Sequence, residues 1–145
     1  MIRAYLRAST QEQDATRAKQ TLEAFVSQYG QPIASTYIEN ASGASKDREA
    51  LLRLIDDAIE GDVILVESID RLSRLRVEDW QALRSEIEHK GLRIVAVDLP
   101  TTHQAMKDQE GDDLTSHILD AINRLMVDMM AIMARKDYEQ RRIRQ

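Results

Sequence analysis

The chain has 145 residues, of which 43% are hydrophobic and 31% charged, and it carries 20 Lys and Arg against 25 Asp and Glu. A chain of this length is expected to form one domain, and the absence of cysteine excludes a disulfide scaffold, a cysteine-containing zinc site and a thiol nucleophile. The net charge of −5 argues against a protein whose whole surface binds nucleic acid, because non-specific DNA affinity comes mostly from Lys and Arg on phosphates.

The first hundred residues alternate predicted strands with predicted helices. Residues 2–8 alternate apolar and polar side chains as a strand does, and apolar residues from Ala15 to Tyr29 then recur at helical spacing until Gly30. The elements expected after them are a strand at 33–38, a helix at 50–58, a buried strand at 63–66, a helix at 77–87 and a strand at 92–97. This alternation predicts an α/β, flavodoxin-like fold: an open, mostly parallel sheet of four to five strands with helices on both faces.

The chain changes character after Pro100. Residues 101–113 are polar and are expected to form a mobile loop between an α/β core at 1–100 and a long helix at 114–145. The apolar residues of that helix step by four and three positions, through Ile118, Ile122, Leu125, Met129 and Ile132. Such a stripe could pack on its own sheet. The helix is longer than a small sheet can cover, however, so we expect it to continue into a partner subunit.

Ser9 follows the first predicted strand, and ligand sites in open α/β sheets lie beyond the carboxyl ends of strands. Residues 9–12 also have the pattern of a capping box, in which the serine only satisfies helix N–H groups. Arg7 favours a functional role for Ser9, because residues two apart on a strand share a face. A guanidinium beside a hydroxyl at a helix N-terminus predicts an anion site with a potential nucleophile.

Arginines also follow the second and third predicted strands. Asp70, Arg71 and Arg74 have a spacing that puts them on one helical face, although an exposed ion pair has the same pattern. Arg48 alone is more typical of a helix start. Three consecutive strand-to-helix junctions with arginine nevertheless predict a phosphate site suited to phosphoryl transfer by a serine. The sequence has no acidic cluster or paired-histidine spacing for a metal, and no glycine loop for ATP.

Four blocks of sequence resemble the catalytic domain of the serine site-specific recombinases, the resolvase/invertase family. The blocks are YLRAST from Tyr5 with Gln13, the Ser42-Gly43 loop with Asp47-Arg48 and Leu51, GDVILV from Gly61, and DRLSR from Asp70. Their order and spacing from residue 2 to about residue 99 make the resemblance specific, whereas one block alone would be weak.

The resemblance implies that Ser9 attacks a DNA phosphodiester, forms a 5′-phosphoserine link and releases a 3′-hydroxyl, with no ATP, metal or other cofactor. The residues that it implies around the scissile phosphate are Arg7, Arg48, Arg71 and Arg74. Asp70 would orient these arginines or handle the leaving-group proton, and Gln13 would support the serine loop. The base that deprotonates Ser9 is not identified, since arginine has a pKa above about 12.

The resemblance also implies partners. The substrate would be a double-stranded DNA crossover site, and a homodimer to homotetramer would form through the 114–145 helix. Family members continue into a separate DNA-binding domain, so we expect a truncated catalytic domain. Residues 134–145 carry five basic residues against two acidic ones, which suits DNA contact or a solvated helix end.

No apolar run approaches the ~20 residues of a membrane span, and the N-terminus lacks a signal-peptide segment, so a cytoplasmic protein without membrane contact is expected. Two other functions fit the predicted fold. A phosphoacceptor signalling module would use Asp70, but it needs an acidic pair after the first strand, where this chain has Arg7-Ala8-Ser9. A regulatory module could instead dimerise through the Met-rich helix without recombinase activity.

Overall fold

The computed structural model describes residues 1–8, 12–40, 48–69, 71, 77–106 and 113–144. Within these residues one sheet has four strands, in the spatial order β2-β1-β3-β4. The strands are β1 (Ile2–Ala8), β2 (Ile33–Asn40), β3 (Val63–Val66) and β4 (Arg93–Ala96). Every pairing is parallel, and Arg7 lies opposite Glu39 where β1 and β2 end. The strands therefore end together at what we call the carboxyl edge of the sheet, and the flavodoxin-like α/β prediction is confirmed.

Helices cover both faces of this sheet. The helices are α1 (Glu12–Ser27), α2 (Glu49–Asp57), α3 (Val77–His89), a 3-10 helix (Pro100–Met106) and α4 (Asp113–Arg144). On one face, α1 and the 3-10 helix pack on the even-numbered residues of β1, and on the other face α2 and α3 pack around Tyr5, Ile64 and Val66. The VILV run of β3 is buried along its whole length, as its continuous apolar character predicts.

At the opposite edge of the sheet, one carboxylate connects several elements. Asp62, which precedes β3, accepts hydrogen bonds from the Met1 ammonium, Arg3 Nε and the Ile59 amide, each at 3.0 Å. Burial alone would raise the pKa of Asp62, but these three donors outweigh it and lower the pKa below its usual value. The carboxylate therefore links β1, β3 and the end of α2 in its charged form.

The first part of the expected loop is ordered by a buried threonine. Where a loop was expected from Thr101, residues 100–106 form the 3-10 helix. The Thr102 hydroxyl accepts from the Ala96 amide at 3.0 Å and donates to the Leu99 carbonyl at 2.7 Å, and Met106 is buried beside α1. The polar composition of this segment does not indicate a helix. The helix is stabilised by one threonine that bonds to backbone groups at the end of β4, and such a contact leaves no pattern in the sequence.

The long helix α4 contacts the domain through one face and exposes another. Val127 and Ala131 are buried against the domain, whereas the predicted stripe of Ile118, Ile122, Leu125, Met129 and Ile132 is 46–60% exposed. The helix thus contacts its own domain through a different face from the apolar one. No helix in the described ranges is both long and apolar enough to cross a membrane.

Candidate active site at the carboxyl edge

Three strands bring polar side chains to the carboxyl edge. Tyr5 and Arg7 lie two residues apart on β1 and therefore share a face, which is the face that α2 covers. Glu39 lies opposite Arg7 on β2. The Tyr5 hydroxyl donates to Glu39 Oε1 at 3.3 Å, and both side chains are buried. The edge is thus built around a buried carboxylate that sequence reasoning did not single out.

Glu39 also connects the sheet to α2. Its Oε2 atom accepts a hydrogen bond from the Ala50 amide, at 3.1 Å, in the first turn of the helix. Arg48 occupies the position before α2 and supplies no side-chain cap, so the carboxylate from the neighbouring strand takes a role that capping side chains usually have. This contact fixes the helix start, and with it the backbone that carries Arg48.

Arg48 is a buried cation in this cluster, with only 7% of its surface exposed. Burial lowers the pKa of Arg48 to about 10, and repulsion from Arg7 adds to the effect, while Tyr5 and Glu39 oppose it. Burial and the charge of Glu39 in turn raise the pKa of Tyr5, although both arginines act against the rise. At neutral pH Arg48 therefore remains a charged guanidinium, and Tyr5 remains a neutral phenol.

Arg71 follows β3, the strand on the other side of β1. Its backbone amide donates to the Ser68 carbonyl at 3.2 Å, which makes a turn just beyond the strand. The side chain is half-buried, and its Nε atom is buried without a hydrogen-bond partner in the part of the chain that the structure describes. An orphaned guanidinium N–H is costly in the free protein and is a ready donor for an anion.

The structure describes part of the predicted site. Arg7 and Arg48 come together with Tyr5 and Glu39, and Arg71 lies beyond the adjacent strand. Gln13 lies in the first turn of α1. Ser9, Asp70 and Arg74 lie outside the described residues. In the sequence, Ser9 immediately follows β1 and Asp70 immediately precedes Arg71.

Sequence reasoning missed two members of the cluster for different reasons. Tyr5 carried a signal, since it alternates in phase with Arg7, but a strand tyrosine is most often a core residue. No sequence pattern around Glu39 indicates a role in the site. Its proximity to Arg48 depends on the pairing of β2 with β1 and on the packing of α2 against these strands. Among the described residues, no three acidic or histidine side chains gather as a metal site would require.

Comparison with known proteins connects this edge with a family. The family model for the resolvase N-terminal domain matches residues 2–145. The chain belongs to the resolvase N-terminal domain family. A resolvase of Escherichia coli is 36% identical over 145 residues, which are all of this chain and 65% of that protein. The transposon Tn1546 resolvase of Enterococcus faecium is 28% identical over 135 residues, 93% of this chain and 66% of the relative.

This resolvase-family domain thus spans less than two thirds of the length of the curated relatives it matches, and only 49% of a resolvase from Clostridium perfringens. Among solved structures, the N-terminal catalytic domain of TP901-1 integrase is 25% identical with a TM-score of 0.53, covering 88% of this chain and 97% of the other. The C-terminal catalytic domain of ISC1926 TnpA, an IS607-like serine recombinase, shares the fold at 20% identity and the same TM-score, covering 86% and 80%.

Proposed function

We propose that this resolvase-family domain catalyses site-specific DNA recombination through Ser9. The observation that carries the proposal is the pair of arginines, Arg7 and Arg48, that the carboxyl edge holds beside the strand leading into Ser9. Both charges are partly or fully withdrawn from water, which strengthens their interaction with a phosphate relative to an exposed site. Their planar forks match the geometry of phosphate oxygens.

The reaction replaces one phosphate ester bond with another. Ser9 Oγ forms a bond to the scissile phosphorus and loses its proton, while the bond from phosphorus to the 3′ oxygen breaks and that oxygen takes up a proton. Because the phosphoserine keeps the bond energy of the phosphodiester, the reverse step reseals the new strands without ATP. The charge that develops on the non-bridging oxygens is stabilised by Arg7, Arg48, Arg71 and Arg74.

Asp70 and Gln13 have supporting roles in this proposal. Asp70 orients the neighbouring arginines or handles the proton of the leaving group, and Gln13 supports the segment that contains Ser9. The orphaned Nε atom of Arg71 favours an anion at this point of the edge, since phosphate would supply its missing acceptor. No metal or ATP enters these steps.

The partners in the proposal are a double-stranded crossover site and further copies of the chain. The exposed stripe of α4 supports assembly of homodimers and homotetramers, because contiguous apolar surface of this kind is rare on monomers. The net charge of −5 suggests that this domain alone binds DNA weakly and that affinity requires additional basic surface. A cytoplasmic location fits an enzyme that acts on DNA.

Covalent capture tests the proposal. The product of the complete reading frame is incubated with its crossover-site DNA, quenched with detergent and examined for protein bound covalently to DNA. We expect an adduct with the parent protein and with the control Ser85→Ala, which changes an exposed serine of α3, and none with Ser9→Ala. An adduct that persists in Ser9→Ala would refute the assignment, and it would favour a nucleophile elsewhere in the chain.

A further inference from the structure

The contact between α4 and the domain is made largely by charged side chains. Three residues of α4, spaced four apart and so on one face, meet partners of opposite charge on α3 and β4. We call these three pairs the α4 ladder: Asp120 with Arg93 at 3.8 Å, Arg124 with Glu88 at 3.7 Å, and Asp128 with Arg84 at 2.9 Å. The signs alternate along α4 and the partners alternate in register with them.

Two further contacts reinforce the ladder at its last step. The indole N–H of Trp80 donates to Asp128 Oδ1 at 3.3 Å, and Arg84 also pairs with Glu88 at 2.9 Å within α3. Asp128 therefore accepts a hydrogen bond from Trp80 and forms an ion pair with Arg84, and Glu88 joins two of the three steps. The second and third steps are therefore connected, so loss of a charge in one affects the other.

Apolar side chains also join α4 to the domain beside the ladder. Among the α4 side chains that the structure describes, Val127 and Ala131 are buried in the core and Met126 is partly buried beside them. A cleft of about 350 Å³ remains between α4, α3 and β4, and Ile87, Leu92 and all the ladder residues except Asp128 line it. The ladder side chains are 27–55% exposed, so water and salt reach the charges.

The apolar stripe of α4 and the ladder lie on different sides of the helix. In helical projection, at about 100° per residue, the middle of the stripe from Ile118 to Ile132 lies roughly 120° around the helix from Arg124, at the middle of the ladder. Asp128 is the ladder residue of α4 nearest to the stripe. Hydrophobic burial would favour rotation of the helix until the stripe covered the cleft. In the observed orientation the charged pairs oppose that rotation, because turning α4 would separate all of them.

We propose that the α4 ladder is an electrostatic latch, which sets the rotational orientation of α4 with its apolar stripe outward and releases when its charges are screened or mismatched. Release lets α4 leave this orientation without unfolding, since its backbone hydrogen bonds lie within the helix. Salt shortens the screening length from about 10 Å at 0.1 M to about 3 Å at 1 M, which is below the separation of two of the pairs.

A distance measurement between two spin labels tests the latch. Because the chain has no cysteine, Ser85→Cys on α3 and Ala121→Cys on α4 create unique labelling sites, and both positions are exposed. Diluting labelled protein with unlabelled protein confines the signal to distances within one chain. We expect one narrow distance at low salt, and a second population that grows by roughly fivefold per mismatched pair.

The variants separate the charge effect from damage to the fold. Asp120→Lys and Arg93→Glu each place like charges opposite one another and should produce the second population, while the double variant restores a pair and should remove it. Glu86→Lys makes the same change of charge as Asp120→Lys on an exposed part of α3 that faces α2, and should match the parent. Trp80 emission should shift to the red in the two single variants only.

Two results would overturn the latch. A narrow parent-like distance in both single variants and at 1 M salt would mean that apolar packing, including that of Val127 and Ala131, holds the helix without the charged pairs. Failure of the double variant to restore the parent distance would mean that the single changes act through local structure and not through charge pairing.

Discussion

The buried carboxylate of Glu39 offers a quantitative test of how the carboxyl edge is held together. Glu39→Gln keeps the shape of the side chain and removes its charge. Two hydrogen bonds, from Tyr5 and from the Ala50 amide, then lose a charged acceptor, and each bond weakens by about 1 kcal/mol. Arg48 also loses a nearby counter-charge while it remains buried. Loss of the carboxylate's own desolvation cost offsets part of this, so we expect a decrease of about 2 kcal/mol in the free energy of unfolding.

Urea unfolding followed by fluorescence of Trp80, the single tryptophan, measures this decrease. Tyr5→Phe removes one of the two hydrogen bonds and should cost about 1 kcal/mol. Glu23→Gln makes the same chemical change at an exposed position of α1 and should stay within about 0.5 kcal/mol of the parent. If Glu39→Gln behaved like Glu23→Gln, the carboxylate would not hold α2 and Arg48 in place.

Three further results are expected. Asp62→Asn should lower the free energy of unfolding at pH 7 by about 2–3 kcal/mol, measured by urea unfolding at a series of pH values. Because folding lowers the pKa of Asp62, its stabilisation is present above about pH 4 and is lost as the pH falls through the lower pKa of the folded state, so the variant should depend less on acid pH. An unchanged acid dependence would contradict the role of Asp62. Arg71→Ala should abolish the covalent adduct and leave the circular-dichroism spectrum unchanged, whereas a collapsed spectrum would indicate a structural role. Leu125→Asp should weaken self-association at least tenfold in sedimentation equilibrium, and Leu52→Asp, at a similarly exposed leucine of α2, should not. Equal effects of the two changes would exclude a specific role of the stripe.

The strands and helices of the core could be predicted because their signals are local. The apolar run of β3 and the period-two pattern of β1 each identify a strand within a few residues. Gly30, Gly61 and Gly91 all have positive φ, and the predicted helices end before them. The 3-10 helix escaped prediction because its stability comes from Thr102 bonding to β4, which a polar sequence does not reveal.

The site could be predicted where residues lie on a strand or in the connection from a strand to the next helix. Arg7, Arg48 and Arg71 were expected at one edge from chain order alone, while the contact of Glu39 with Tyr5 and α2 requires the register of β1 and β2. The orientation of α4 could be predicted only in part. The stripe was expected to extend toward a partner subunit, and it does lie outward. Which residues of α4 face the domain could not be predicted, because their charged partners lie on α3 and β4.

The most direct measurement of the central claim identifies the atom that becomes joined to DNA. Crossover-site DNA is cleaved by the product of the complete reading frame, the adduct is digested with nuclease and protease, and the modified peptide is sequenced by mass spectrometry. The proposed chemistry predicts a nucleotide linked through its 5′ phosphate to the peptide containing Ser9, with a free 3′-hydroxyl on the other DNA end. A nucleotide on another residue, or a link through a 3′ phosphate, would contradict it.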